Sequence, residues 1–206
     1  MADRKHGAPP PDPDATVSGA DWNRRDISGE AHTRIAFVDL DMAEVTNVGA
    51  VFTECTFRRV RFNVSVHTDA AFVNCTFVHC AFFDACFTGC KMVGSVFDRC
   101  TYDMLKVVGG NWSHVGLPGA DLRNAEFRGA RMREADLTGV QCQGASMRDL
   151  DLSGAWLQGA KLAGCDLRGS DLGGLDPATM DLRGAIITYE QAVGIAAALG
   201  LDVRAE

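Results

Sequence analysis

A centre position, most often a large apolar residue, recurs at every fifth place from Val17 to Ile187, and the residues between follow their own rule. The stretch Ala120-Asp121-Leu122-Arg123-Asn124-Ala125-Glu126-Phe127-Arg128-Gly129 shows the unit twice. Ten of the eleven Phe residues fall on a centre, and only Phe83 does not. Sixteen of the 22 glycines stand two places after a centre. Six of the eight cysteines (Cys55, Cys75, Cys80, Cys90, Cys100 and Cys165) stand two places before one, a slot otherwise filled mostly by Ala, Ser or Val. The register does not slip across the 35 units.

A period of five matches neither the 3.6 of a helix nor the 2 of a strand. It suits a chain that turns a corner every five residues. The centre and the small residue two places earlier point inward, and the other three positions point outward. Glycine after the centre supplies a backbone of positive φ for the turn. Four corners close a coil of about 20 residues, and stacked coils pair like strands about 4.8 Å apart. The predicted fold is all-β, a square coil of stacked strands over residues 15–187, roughly 42 Å long at that spacing. The unbroken register predicts no projecting loops and an interior filled by the centres.

The period changes at both ends. Residues 1–14 are polar and proline-rich and read as a disordered arm. Residues 188–206 form a helix and tail. Thr188 with Gln191 reads as a capping box and Gly200 as a helix stop, which predicts a helix over Tyr189–Leu199. That helix is too apolar to stand in water on every side. It is expected to cover the last coil and to meet a second copy through Val193, Ile195, Ala196, Leu199 and Leu201.

Composition narrows the functional classes. With 206 residues, 47% hydrophobic and 23% charged, the chain can bury a sizeable core. It lacks an apolar run long enough for a membrane helix and an apolar leader, so no membrane is implied. A net charge of −7 argues against direct nucleic-acid binding. Eight cysteines without a leader suggest reduced thiols in a cytoplasm.

No catalytic constellation emerges, and the chain reads as no enzyme, with no cofactor and no metal. The cysteine spacings are multiples of five, so core packing explains them. They stack Cys55 on Cys75 and Cys80 on Cys100, and no CxxC ligand pair exists. Cys86 precedes Phe87 directly, points outward and is the thiol expected to react. His32 and His67 occupy centres and read as satisfied or partly exposed core groups. Gly109-Gly110 and Gly173-Gly174 lack the Lys and Ser/Thr of a phosphate loop. Phe83, Val73, Val93 and Trp156 are outward apolar residues, weak hints of contact.

These repeats resemble the pentapeptide-repeat family, and the resemblance implies its fold, a right-handed quadrilateral β-helix, over residues 15–187 with a short C-terminal capping helix. The segments Cys90-Lys91-Met92-Val93-Gly94-Ser95-Val96-Phe97-Asp98-Arg99-Cys100, Asp176-Pro177 and Gln191-Ala192-Val193…Ala196-Ala197-Ala198-Leu199-Gly200-Leu201 are similar to its fluoroquinolone-resistance members. The proline-rich arm is a departure from them. The resemblance implies a DNA-like rod that binds and modulates DNA gyrase, protects it from quinolones or peptide toxins, and dimerises through the C-terminal end.

Charge tests that implication. No face of the rod sums to more than about two negative charges, whereas a duplex of this length carries roughly 25. Any mimicry is therefore local. The best acidic strip is Asp41, Glu44, Asp84, Asp103 and Asp121, interrupted by Arg61, and these are the gyrase-contact candidates. Arg128, Arg148 and Arg168 form an opposing ladder that Glu126, Asp149 and Asp166 can neutralise. The alternative is a structural scaffold that binds an unrelated protein.

Overall fold

The computed structural model describes residues 11–204. Within them the chain winds into a parallel solenoid in which each residue pairs with the residue twenty places on. One face is a five-stranded sheet whose strands centre on Val17, Phe37, Phe57, Phe77 and Phe97. A second has six strands centred on Asn47, His67, Phe87, Val107, Phe127 and Met147. A third has three, centred on His32, Phe52 and Phe72. The fourth is joined by single parallel bridges such as Asp21↔Asp41, Asp41↔Arg61 and Gln141↔Lys161. Four faces with a step of twenty are the quadrilateral coil expected from the period of five.

Backbone bonding explains why the coil is so regular. Arg61 donates its N–H to Leu40 O at 3.1 Å, while Phe62 donates to Ala81 O at 2.8 Å. One pentapeptide thus bonds to the coil on each side, which leaves few backbone groups unpaired. Within the corner Ser65 N–H closes on Phe62 O at 3.1 Å.

The corner conformation is general. All sixteen glycines at the second place after a centre have positive φ. So do sixteen non-glycine residues in the same slot, among them Arg24, Glu44, Val64, Asp84 and Met104. The turn is imposed by the coil, and glycine is its low-strain occupant.

The centres fill the interior. Phe37, Phe57, Phe77 and Phe97 stack in a column with ring centroids 5.0, 4.9 and 4.6 Å apart, close to the strand spacing. Neighbouring columns meet edge-on, as Phe57 meets Phe62 at 5.5 Å. Both geometries are favoured for aromatic pairs. From Leu117 onward Leu and Met take over this role, and Leu122, Met132, Leu137, Leu152 and Leu162 are buried.

The ends are looser. Asp14, the last residue of the expected arm, already donates its N–H to Arg34 O at 2.7 Å and its carboxylate pairs with the Arg34 guanidinium. Residues 1–10 of that arm lie outside the described residues, as do residues 205–206 of the tail. Near the other end Pro177 interrupts the coil with a 3₁₀ turn, Pro177–Thr179, capped by Asp176 Oδ1 on Ala178 N–H at 3.0 Å. The helix runs Tyr189–Ala198, one residue shorter than expected, with Leu199 as its cap. The Thr188–Gln191 capping box is present. Gly200, at φ +81°, donates to Ala197 O, and Leu201 donates to Ala196 O, the paired bonds that end a helix on a left-handed residue.

Candidate partner-binding surfaces

Two surfaces stand out, an acidic face of the coils and the apolar C-terminal end. Asp41, Glu44, Asp84, Asp103 and Asp121 lie on one face, at neighbouring places in the twenty-residue coil, spread along successive coils. The structure also gives most of them a cation. Glu44 Oε2 accepts from Arg24 Nε at 2.9 Å, Asp84 Oδ1 from Lys106 Nζ at 2.9 Å, and Asp121 Oδ2 from Arg123 at 2.6 Å. Asp41 pairs with Arg61. Asp103 accepts instead from the neutral Asn124 amide at 2.8 Å. The Arg123 hydrogen bonds hold the Asp121 carboxyl below its ordinary pKa, and Glu44 raises that of Arg24.

The partners Arg24, Lys106 and Arg123 were not singled out from the sequence. The signal was there, a cation about one coil or two residues from an acid, but many residues share those offsets. The same rule produces Asp39–Arg59 at 2.5 Å and Arg133–Asp151 at 2.5 Å. Such exposed pairs hold little energy, of the order of 0–1 kcal/mol, and exchange partners readily. The arginine ladder is neutralised largely as expected. Arg168 and Arg148 share Asp166 at 2.7 and 3.8 Å, and Arg128 reaches Asp149 at 3.7 Å; Glu126 takes no part.

At the C-terminal end the helix rests lightly on the last coil. Gln191 Nε2 donates to Leu167 O and Ser170 O, both at 2.7 Å, and this side chain carries the attachment. No helical residue is buried. Between helix and coil lies a cleft of about 290 Å³ walled by Leu172, Leu175, Met180, Leu182 and Ile195. This cleft lies at the end of the solenoid, under the helix, and not among the buried centres of the coils. Of the proposed dimer residues, Ile195 lines this cleft, Val193 and Ala196 are half-buried, and Leu199 and Leu201 are 55% and 62% exposed.

The thiols and imidazoles sit where core packing puts them. All eight cysteines are free. Six are buried, and burial pushes the thiol of Cys90 up to about 11 and that of Cys165 up to about 12. Cys100 Sγ accepts the Cys80 N–H at 3.4 Å, so these residues stack one coil apart. Cys86 is half-exposed, as is Cys100. His67 is fully buried, while His32 stacks on Phe52 at 5.0 Å and meets Glu30 Oε2 at 2.9 Å. Among the described residues no group of three or more His, Cys, Asp or Glu is placed to hold a metal ion. No helix among them is long and apolar enough to cross a membrane.

The architecture defines a parallel β-solenoid that offers surfaces rather than an enclosed site. Residues 117–188 match the profile of the pentapeptide-repeat family in the overlapping stretches 117–154, 135–174 and 145–188. The same coil extends back to residue 15 in the structure, so the residues before 117 share the architecture of the matched pentapeptide repeats. No curated protein matches it. Among solved structures it is similar to full-length QnrB1, a plasmid-mediated fluoroquinolone resistance protein, at 20% identity over 91% of this chain and 98% of that one, with a TM-score of 0.45. HetL, involved in heterocyst differentiation regulation in the cyanobacterium Nostoc sp. strain PCC 7120, is similar at 19% identity over 83% and 84%, with a TM-score of 0.38.

Proposed function

We propose that this chain is a non-enzymatic, DNA-mimic-like protein that binds DNA gyrase, modulates or protects it, and thereby confers resistance to quinolones or gyrase toxins. The observation that carries the reading is a four-faced rod, without projecting loops among the described residues 15–175, that carries Asp41, Glu44, Asp84, Asp103 and Asp121 on one face. The likeness of residues 90–100 and of the C-terminal segment to fluoroquinolone-resistance members of the family supports it. Two copies join through the C-terminal helix, doubling the rod, and the protein acts in the cytoplasm without contacting DNA or membrane itself.

The compensated charge of that face favours a second reading. Because four of the five acids already hold a cation, the rod also suits a scaffold with an unrelated protein partner. A supercoiling assay decides between them. Inhibited supercoiling, or protection from quinolone-induced cleavage, that weakens with salt and on Asp84→Lys with Asp103→Lys supports gyrase. Unchanged supercoiling and cleavage across a wide titration leave the scaffold.

A further inference from the structure

Between residues 15 and 185, seven large apolar side chains are exposed, and four lie at one corner of the rod: Val64, Val66, Phe83 and Met104. Val48 and Val108 stand at the other end of the adjoining face, beside Gly49 and Gly109, and Val51 lies on another face. Val64 and Met104 occupy the corner slot itself, two places after Phe62 and Tyr102. Phe83 follows the centre Phe82 on one flank, and its carbonyl accepts the Val64 N–H at 2.8 Å. Val66, in register with Cys86 and Lys106, lies on the other flank. Outward residues of a soluble rod scatter singly when they are neutral to function; these are concentrated on neighbouring coils.

Backbone strain singles out the same place. Val64 has φ +59° and Met104 φ +58°. They are the only apolar residues among the sixteen non-glycine residues of positive φ, whose other members are polar or charged. A β-branched residue in that region is a genuine outlier. Val64 is 45% exposed, so packing within the chain does not offset the strain.

The corner column reads Glu44, Val64, Asp84, Met104, alternating acid and apolar side chain. Successive coils are about 4.8 Å apart, which puts the two apolar residues roughly 10 Å apart with an acid between them. A helix rises 5.4 Å per turn, so residues i and i+7 of a helix are also roughly 10 Å apart. We propose that this corner, with Phe83 and Val66 beside it, is a docking strip for an amphipathic helix of a partner protein that carries apolar residues two turns apart and Lys or Arg on the turn between. The cations now on Glu44 and Asp84 are exposed and replaceable. Applied to gyrase, this rests on the function proposed above; as a property of the surface it does not.

The probe is a fluorescent helical peptide with Leu at i and i+7 and Lys at i+3 and i+4, set against a scrambled peptide of the same composition. The full chain should bind the ordered peptide roughly tenfold more tightly. Val64→Asn keeps a residue suited to positive φ, so it should melt no lower than the parent, yet with Phe83→Ser and Met104→Gln it should abolish that preference. The ordered peptide should also slow alkylation of Cys86. Arg183→Ala, at an exposed position near the far end, should change neither. Equal affinity for the two peptides, or a preference that survives in the triple variant, overturns the strip. In a gyrase assay, an active parent with an equally active triple variant overturns its use on gyrase. An inactive parent removes the gyrase reading, and the peptide comparison still decides the strip.

Discussion

His67 lies flat on Phe87, their ring centroids 4.5 Å apart and their planes 8° apart, so an imidazole fills a place in a column of core side chains. Its edges are satisfied in series. Asn47 Nδ2 donates to His67 Nδ1 at 3.0 Å, His67 Nε2 donates to Ser65 Oγ at 2.9 Å, and Ser65 Oγ donates to Phe62 O at 2.6 Å. This donor order requires a neutral ring protonated on Nε2.

Burial accordingly holds the His67 pKa down at about 3. The unfolded chain takes up that proton near pH 6.5. The stabilisation is complete above that value and is lost as pH falls from 6.5 toward 3, by about 1.4 kcal/mol per pH unit. Denaturant melts at pH 7, 6, 5 and 4 should show this slope. His67→Phe together with Asn47→Val, which removes the whole polar pair, should flatten it; an unchanged acid limb would place the titration elsewhere.

The aromatic column makes a second expectation quantitative. Phe77 is 1% exposed and stacked between Phe57 and Phe97. Phe77→Ala should lower unfolding free energy by about 3–5 kcal/mol, from lost burial and the cavity left behind. Chemical denaturation measures it, and a loss below about 1 kcal/mol would mean that the coils close over the gap.

Glycines in different slots of the repeat, Gly29 two places after a centre and Gly110 two places before one, should respond differently. Gly29 has φ +70° and open space where a Cβ would stand, so Gly29→Ala should cost only the strain of the left-handed region, about 1–2 kcal/mol. Gly110 has φ +83°, and a Cβ there would stand 2.2 Å from Cys90 O and 2.8 Å from Cys90 N. Backbone cannot yield as a side chain does, so Gly110→Ala should cost about 3 kcal/mol or more. Equal melting temperatures for the two variants would contradict this.

Gln191 should govern the C-terminal end. It closes the capping box and donates both amide hydrogens to the last coil. Gln191→Ala should raise hydrogen exchange across Tyr189–Ala198 while leaving the coils protected. If the exposed Leu199 and Leu201 hold two copies together, Leu199→Asp with Leu201→Asp should yield monomers by light scattering. A monomeric parent protein would end the dimer proposal.

Much of this molecule was legible in the chain because its interactions repeat. A pairing partner is always twenty residues away, so a periodicity read by eye places Phe37 beneath Phe57 and Cys80 beneath Cys100. The inward slots follow from residue size alone. Even the capping box at Thr188 is a local contact that four residues suffice to specify.

Three features were settled only by the folded coil. The left-handed turns at Val64 and Met104 carry no glycine to announce them; neighbouring coils impose the conformation through hydrogen bonds from residues about twenty places away. The strip Asp41, Glu44, Asp84, Asp103 and Asp121 is acidic by letter, yet Arg24, Arg61, Lys106 and Arg123 reach it across coils and along them, so its field depends on where flexible side chains end. Pro177 keeps the period of five but not the path: the chain forms a 3₁₀ turn there, Pro177–Thr179, and a cleft stands between the last coil and the helix. Sequence fixes which residues can be inside when the spacing is periodic; long-range contact decides the charge, strain and space that a partner meets.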